Sequence, residues 1–201
     1  MKTKTAADAS PTRLFKSKGE WAVWLEKNHF KSSGLWLRIA KKDSGVQSVS
    51  YQEAIEVALC YGWIDGQKRP ENESTWLQRF TPRAEKSVWS KINREKALAL
   101  ITGGEMKAAG LAAVESAKKS GRWKAAYDSP SKATVPADLQ AALEAHPQAK
   151  AFFETLDRAN RYAVLWRIQT VKKVETRARK INQFVEMLER HEKIHERRIF
   201  Y

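Results

Sequence analysis

The sequence predicts an α+β protein: a small, mainly antiparallel three-stranded sheet with helices in the N-terminal half, followed by an all-helical C-terminal half. Three observations carry this. Ser50-x-x-Glu53 is a capping box opening a helix over Tyr51–Tyr61, which Gly62 stops at the position favouring a left-handed residue. Trp63–Arg69 and Thr75–Phe80 are strand-like runs separated by the polar, turn-prone Pro70–Ser74, and so read as a hairpin. From Thr102 onward the apolar residues recur at helical spacing with no two-residue alternation.

The elements follow in chain order. Residues 1–16 read as a disordered tail and 17–121 as the α+β module. Ser17-x-x-Glu20 opens a helix with Trp21, Trp24, Leu25 and Asn28 on one face, and Ser32-Ser33-Gly34 breaks it. Leu35–Ala40 is the first strand, with Leu35, Leu37 and Ile39 on one side. The helix and hairpin come next. Alternation puts Trp76, Gln78 and Phe80 on one face of the last strand, with Leu77 and Arg79 on the other, and Pro82 ends it. Ser87 or Ser90 caps a helix through Ile92, Ala97, Leu98 and Ile101, and another holds Met106, Leu111 and Val114. Residues 122–135, with Asp128-Ser129-Pro130-Ser131, read as a linker. Within 136–201, Pro136 and His146-Pro147 open short helices. Asp157 caps a third, with Tyr162, Leu165, Trp166 and Gln169 to one side. Thr170 caps a long final helix striped by Val171, Val174, Ala178, Ile181, Val185 and Leu188.

Composition bounds the function. A net charge of +14 favours anionic partners: nucleic acid, phosphorylated metabolites or anionic headgroups. The single cysteine, Cys60, forbids an internal disulfide and fits a reducing compartment. The N-terminus lacks the apolar region of a secretory signal, and no apolar run is long enough to span a membrane, so the expected location is cytoplasmic.

The motifs specify no reaction. His191-Glu192-x-x-His195 spells a zincin pattern, but it lies in a highly charged stretch with no room downstream for a third ligand, so no metal is expected. Cys60 sits inside an apolar helix with no histidine nearby, as a structural thiol does. There is no glycine-rich phosphate loop and no Ser-His-Asp order, and no cofactor is expected. Asp65, followed by Lys68 and Arg69, is the one acid placed as a general base, but the favoured reading is a salt bridge to Arg83 or Arg79 that pins the turn. The best anion site combines Arg79 and Arg83 with Ser90 and Asn93 at the start of a helix. Trp63 and Trp89 would wall that pocket, with Asp65 as an anchor. A basic set on the last helix, Lys172, Lys173, Arg177, Arg179 and Lys180, is the alternative nucleic-acid surface.

Trp63-Ile64-Asp65-Gly66, Phe80-Thr81-Pro82-Arg83 and Trp89-Ser90-Lys91-x-Asn93 resemble the signature of the YdeI/OmpD-associated family, often labelled bacteriocin-protection proteins. The run Arg161-Tyr162, Trp166, Lys172-Lys173, Glu175-Thr176-Arg177, Arg179-Lys180-Ile181 resembles that family's helical part. The resemblance implies an α+β module followed by helices and a link to antimicrobial-peptide or envelope stress; it implies no catalytic residues. The expectation is therefore a non-enzymatic binding or stress-protection protein holding an anionic small molecule or a protein partner. Two alternatives stay open: a nucleic-acid binder through the last helix, and an enzyme with Asp65 as base.

Overall fold

The computed structural model describes residues 10–171 and 173–195, which fall into two compact units. One holds the residues up to Ser87 together with Asn93–Lys124; the other holds Val88–Ile92 and the residues from Ala125 onward.

The first unit is built on a sheet of β1 (Thr12–Leu14), β2 (Leu35–Ala40), β3 (Trp63–Pro70) and β4 (Thr75–Pro82), in the order β1-β2-β4-β3. The expected three strands are present and antiparallel, but the sheet is mixed and four-stranded, because Thr12–Leu14 adds to β2 in parallel. Those residues belong to the stretch read as a tail. Three residues are too few to display alternation, and only their pairing with β2 makes them a strand. The strand is tied down beyond its own ladder, since Trp36 N–H donates to Pro11 O and Val49 N–H to Phe15 O.

Register fixes the two faces. Leu35 pairs with Phe80, Leu37 with Gln78 and Ile39 with Trp76, so these side chains point one way. Trp36 pairs with Arg79 and Arg38 with Leu77, pointing the other way. Helix α1 (Lys18–Asn28) packs on the first face: Trp21 lies 5.7 Å from Phe80 and 6.2 Å from Trp63, centroid to centroid. Ser17 caps α1 by accepting from Glu20 N–H, but Glu20 reaches back to Lys16 N–H rather than to the cap. The capping box of α2 (Tyr51–Cys60) is complete in both directions. Gly62 takes the left-handed conformation (φ 69°) expected after α2, and β3 starts at the next residue. Helices α3 (Lys91–Thr102, from Asn93 on) and α4 (Ala108–Lys119) complete this unit.

The second unit contains α5 (Ala137–Ala145), α6 (Pro147–Thr155), α7 (Arg158–Gln169) and α8 (Val174–Glu189). Its core joins Leu139 and Leu143 to Phe153, Val164, Ile168, Ile181, Val185 and Leu188. Asp157 caps α7 as expected, accepting from Asn160 N–H. Two expectations change. The buried face of α7 is Asn160, Val164, Leu165 and Ile168, leaving Tyr162 and Trp166 half-buried on another side. Thr170 ends α7 instead of opening α8, whose first residue is Val174. Val171 and Val174 therefore drop out of the buried stripe, with Val174 76% exposed, and Ala178 is exposed too, so the stripe reduces to Ile181, Val185 and Leu188.

Among the described residues, no helix is long and apolar enough to cross a membrane.

Candidate functional site

The register of the sheet separates the two residues that the sequence groups most closely. Asp65 pairs with Phe80, so it stands on the helix-packed face, while Arg79, next along β4, stands on the opposite one. The sheet itself therefore lies between them. Asp65 instead accepts a 2.7 Å hydrogen bond from the Tyr51 hydroxyl of α2. Gln78, buried on the Asp65 side, fills the bulge of β3 between Asp65 and Lys68 by donating to the carbonyls of Gly66 and Gln67.

Arg79 is 9% exposed, and its Nη1 is buried without a hydrogen-bond partner among the described residues. Its Cζ lies 5.8 Å from the Trp36 ring centroid. Arg69 reaches over β4 and brings its own Cζ to 4.3 Å from the same ring. Trp36 is consequently 3% exposed although it stands on the outer face. Burial first, and then the positive charge of Arg69, hold the Arg79 guanidinium below the ordinary arginine value. Gly34 makes the room. At φ 129° its backbone suits glycine alone, and a Cβ there would sit 2.9 Å from Arg79 Nη1 and 2.6 Å from Phe80 O. The other arginine of this face, Arg38, is balanced by a bidentate pairing with Glu71.

The result is a buried cation with an unused donor, a second cation beside it, and, among the described residues, no carboxylate hydrogen-bonded or ion-paired to the first. Native structures seldom leave such a group uncompensated, because burying an unpaired charge is costly. Chemically the arrangement accepts an oxyanion. On the other face Lys68 lies 4.3 Å over Trp76, and Lys41, Lys42 and Lys68 border a cavity of about 640 Å³. That end of the hairpin thus presents cations on both sides.

The remaining predicted residues are dispersed. Trp63 is buried in the aromatic core, donating its indole N–H to His29 O. Arg83 is half-buried and donates its peptide N–H to Gly62 O. Asn93 lies in the first turn of α3 and belongs to the first unit, whereas Trp89 and Ser90 belong to the second. There Trp89 is buried and Ser90 bridges to Tyr127, whose carbonyl takes Lys91 N–H, the first amide of α3. Lys91 Nζ is paired at 2.7 Å with Asp128, and this bond, ahead of that from Gln169, holds the Asp128 carboxyl below the usual range. A carboxylate of the chain itself therefore already occupies the cation at that helix start.

On α8, Arg177 chelates Asp138 at 2.5 and 2.9 Å and donates to Ile168 O, so it ties α8 to α5 and to the end of α7. Lys173 and Arg179 are exposed, Lys180 is half-buried, and Lys172 lies outside the described residues. The His191–His195 pattern is not helical. His191 N–H donates to Leu188 O and Glu192 N–H to Met187 O, with His191 at φ 56°, which is a Schellman terminus of α8. Two histidines four apart share a face only on a continuing helix. Among the described residues no group of three or more His, Cys, Asp or Glu is placed to hold a metal. Cys60 is buried, and its thiol is pushed up first by desolvation, the reverse of a reactive cysteine.

Residues 13–113, just over half of the chain, match a family described as a domain of unknown function, DUF8412. The chain belongs to this family. Residues 132–191 match a second family, described as bacteriocin-protection, YdeI or OmpD-associated. The Arg161–Ile181 run lies inside that second match, while the Trp63–Gly66, Phe80–Arg83 and Trp89–Asn93 motifs fall within the first. No curated protein and no solved structure shows significant similarity to the chain.

Sequence reasoning named Arg79 but missed its partners. Trp36 reads as one residue of an apolar strand, and Gly34 reads only as a helix breaker. The available signal was parity: Arg79 on the face opposite Phe80, with Trp36 on the face opposite Leu35 and Leu37.

Proposed function

We propose that this is a non-enzymatic binding protein whose outer sheet face, at Trp36, Arg69 and Arg79, captures an anionic ligand. The observation that carries the reading is the Arg79 guanidinium, nine-tenths buried, with Nη1 lacking a partner and a second guanidinium over the same ring. An oxyanion there would supply the missing acceptor of Arg79 beside a second guanidinium, in a site of reduced dielectric where each charge-assisted bond is strong. The reading includes a cytoplasmic location, supported by the lone buried Cys60. At a net charge of +14 the chain repels cationic peptides, so a protective role like that in the second family's description would run through an anionic partner.

The test is titration calorimetry with inorganic phosphate, pyrophosphate and short dicarboxylates at low salt, on the wild type and Arg79→Met. Saturable binding by one of these, lost in the variant, supports the reading; equal binding by both proteins refutes it. Asp65, bonded to Tyr51 on the other face, is no part of this site, so Asp65→Asn leaves the affinity unchanged.

A further inference from the structure

Helix α7 carries Ala159, Tyr162, Ala163 and Trp166 at positions i, i+3, i+4 and i+7, one continuous face. The two large rings, the small alanines, Pro130 and His195 line an open cavity of about 540 Å³. That volume lies within the range of small-molecule sites, about 300–1,000 Å³. Arg158 and Arg167 border the cavity, and among the described residues no carboxylate lines it. Two acids adjoining the lining residues in sequence are committed elsewhere: Asp157 to the cap of α7 and Asp128 to Lys91.

The walls are held in place. The Tyr162 hydroxyl donates to Asp128 O, and Trp166 meets Tyr127 edge to face at 6.0 Å. The buried Asn160 grips the backbone of His195 from both sides, accepting from its N–H and donating to its carbonyl. Arg167, which borders the cavity, is anchored through Nη1 to Ala163 O one turn back, so its guanidinium is already ordered. An apolar, aromatic-walled cavity with a fixed guanidinium at its rim matches a ligand with an apolar body and one anionic head.

We infer that this cavity binds a small amphipathic carboxylate, an arylalkyl or acyl acid, with its apolar part between Tyr162 and Trp166 and its carboxylate on Arg167. The site shares no residue with the sheet-face cluster, and its α7 residues, though not Pro130 and His195, lie within the stretch that matches the second family. The charge pattern sets the selectivity: the head must be anionic and single, since Arg158, at the exposed first turn of α7, is screened by water.

The experiment is titration calorimetry of the full chain with 4-phenylbutyrate and with its uncharged analogue 4-phenylbutanol. The expected result is saturable one-to-one binding of the acid, with the alcohol about tenfold weaker, the loss of one charge-assisted bond. Ala159→Trp, at an exposed position that tolerates a large ring, fills the cavity and abolishes binding of both; Ala163→Phe is the second filling variant. Arg167→Gln brings the acid down to the alcohol's affinity. Arg79→Met leaves all of this unchanged, which separates this site from the sheet face. Equal affinity for acid and alcohol overturns the inference. So does binding that survives in a folded Ala159→Trp variant, or no saturable binding of 4-phenylbutyrate at millimolar concentration.

Discussion

Arg79→Met is the most informative single change, because the structure assigns it opposite effects on stability and on binding. In the unliganded protein the guanidinium is desolvated, faces Arg69 and has no hydrogen-bonded acid, so its charge works against the fold. Replacing buried charged groups by apolar ones of similar volume is often neutral or stabilising by about 1–4 kcal/mol. The substitution also removes the contact with Trp36 at 5.8 Å, which is worth roughly 0.5–1 kcal/mol. Taking the middle of each range, the balance is a gain of about 2 kcal/mol, and for a chain of this length each kilocalorie moves Tm by about 2–4 °C. Differential scanning calorimetry in a low-salt, non-coordinating buffer should therefore show the variant melting several degrees above the wild type. With an anion at 100 times its Kd, the wild type gains about 2.7 kcal/mol and overtakes it, while the variant gains nothing. A variant that melts more than a few degrees below the unliganded wild type would refute the reasoning, since Arg79 would then be a structural group that stabilises the fold. Arg79→Lys keeps the charge but loses the fork, so it should retain the low Tm and bind weakly.

The other predictions test the supports of the two units. Gly34→Ala forces a Cβ to 2.6 Å from Phe80 O at φ 129°, and should cost about 2–3 kcal/mol in a urea melt while disturbing Arg79. Arg177→Ala removes the chelate to Asp138 and the bond to Ile168 O; it should lower stability by about 1–2 kcal/mol. The same variant should leave the salt slope of binding to a short single-stranded DNA unchanged, and a slope that falls by about one would return Arg177 to a nucleic-acid surface. The Glu71 carboxyl is held below the usual range, first by its hydrogen bond from Arg38 and further by Thr75. A depressed folded value means this contribution is complete above the unfolded carboxylate pKa, about 4.3, and is lost as pH falls through the folded value. Urea midpoints measured from pH 5 down to pH 2 should fall less steeply in Glu71→Gln than in the wild type.

Much of this protein was written locally and could be read so. The Ser50–Glu53 box, the Gly62 stop, the Asp157 cap and the hairpin each depend on residues within a few positions of one another. The even–odd split of β4 into a Gln78–Phe80 face and a Leu77–Arg79 face likewise needs only the strand's period. The ends of helices are less legible. Thr170 looks like an N-cap, but packing of Ile168 in the core lets α7 run to Gln169 first. His191-Glu192-x-x-His195 looks helical, yet α8 has already turned left-handed at His191.

Tertiary structure alone decided which charges are balanced and which are not. Lys91 meets Asp128, Arg177 meets Asp138 and Arg38 meets Glu71, each pair more than 30 residues apart in sequence. It also drew Thr12–Leu14 into the sheet, placed Asp65 beside Tyr51 rather than an arginine, and carried Arg69 over β4 onto Trp36. The physical reason is one of range. Caps, turns and periodicity are settled by the chain's own stereochemistry over a turn or two. The burial of a charge and the identity of its partner depend on which distant strands and helices come to lie side by side, and nothing in the local sequence of Arg79 encodes that.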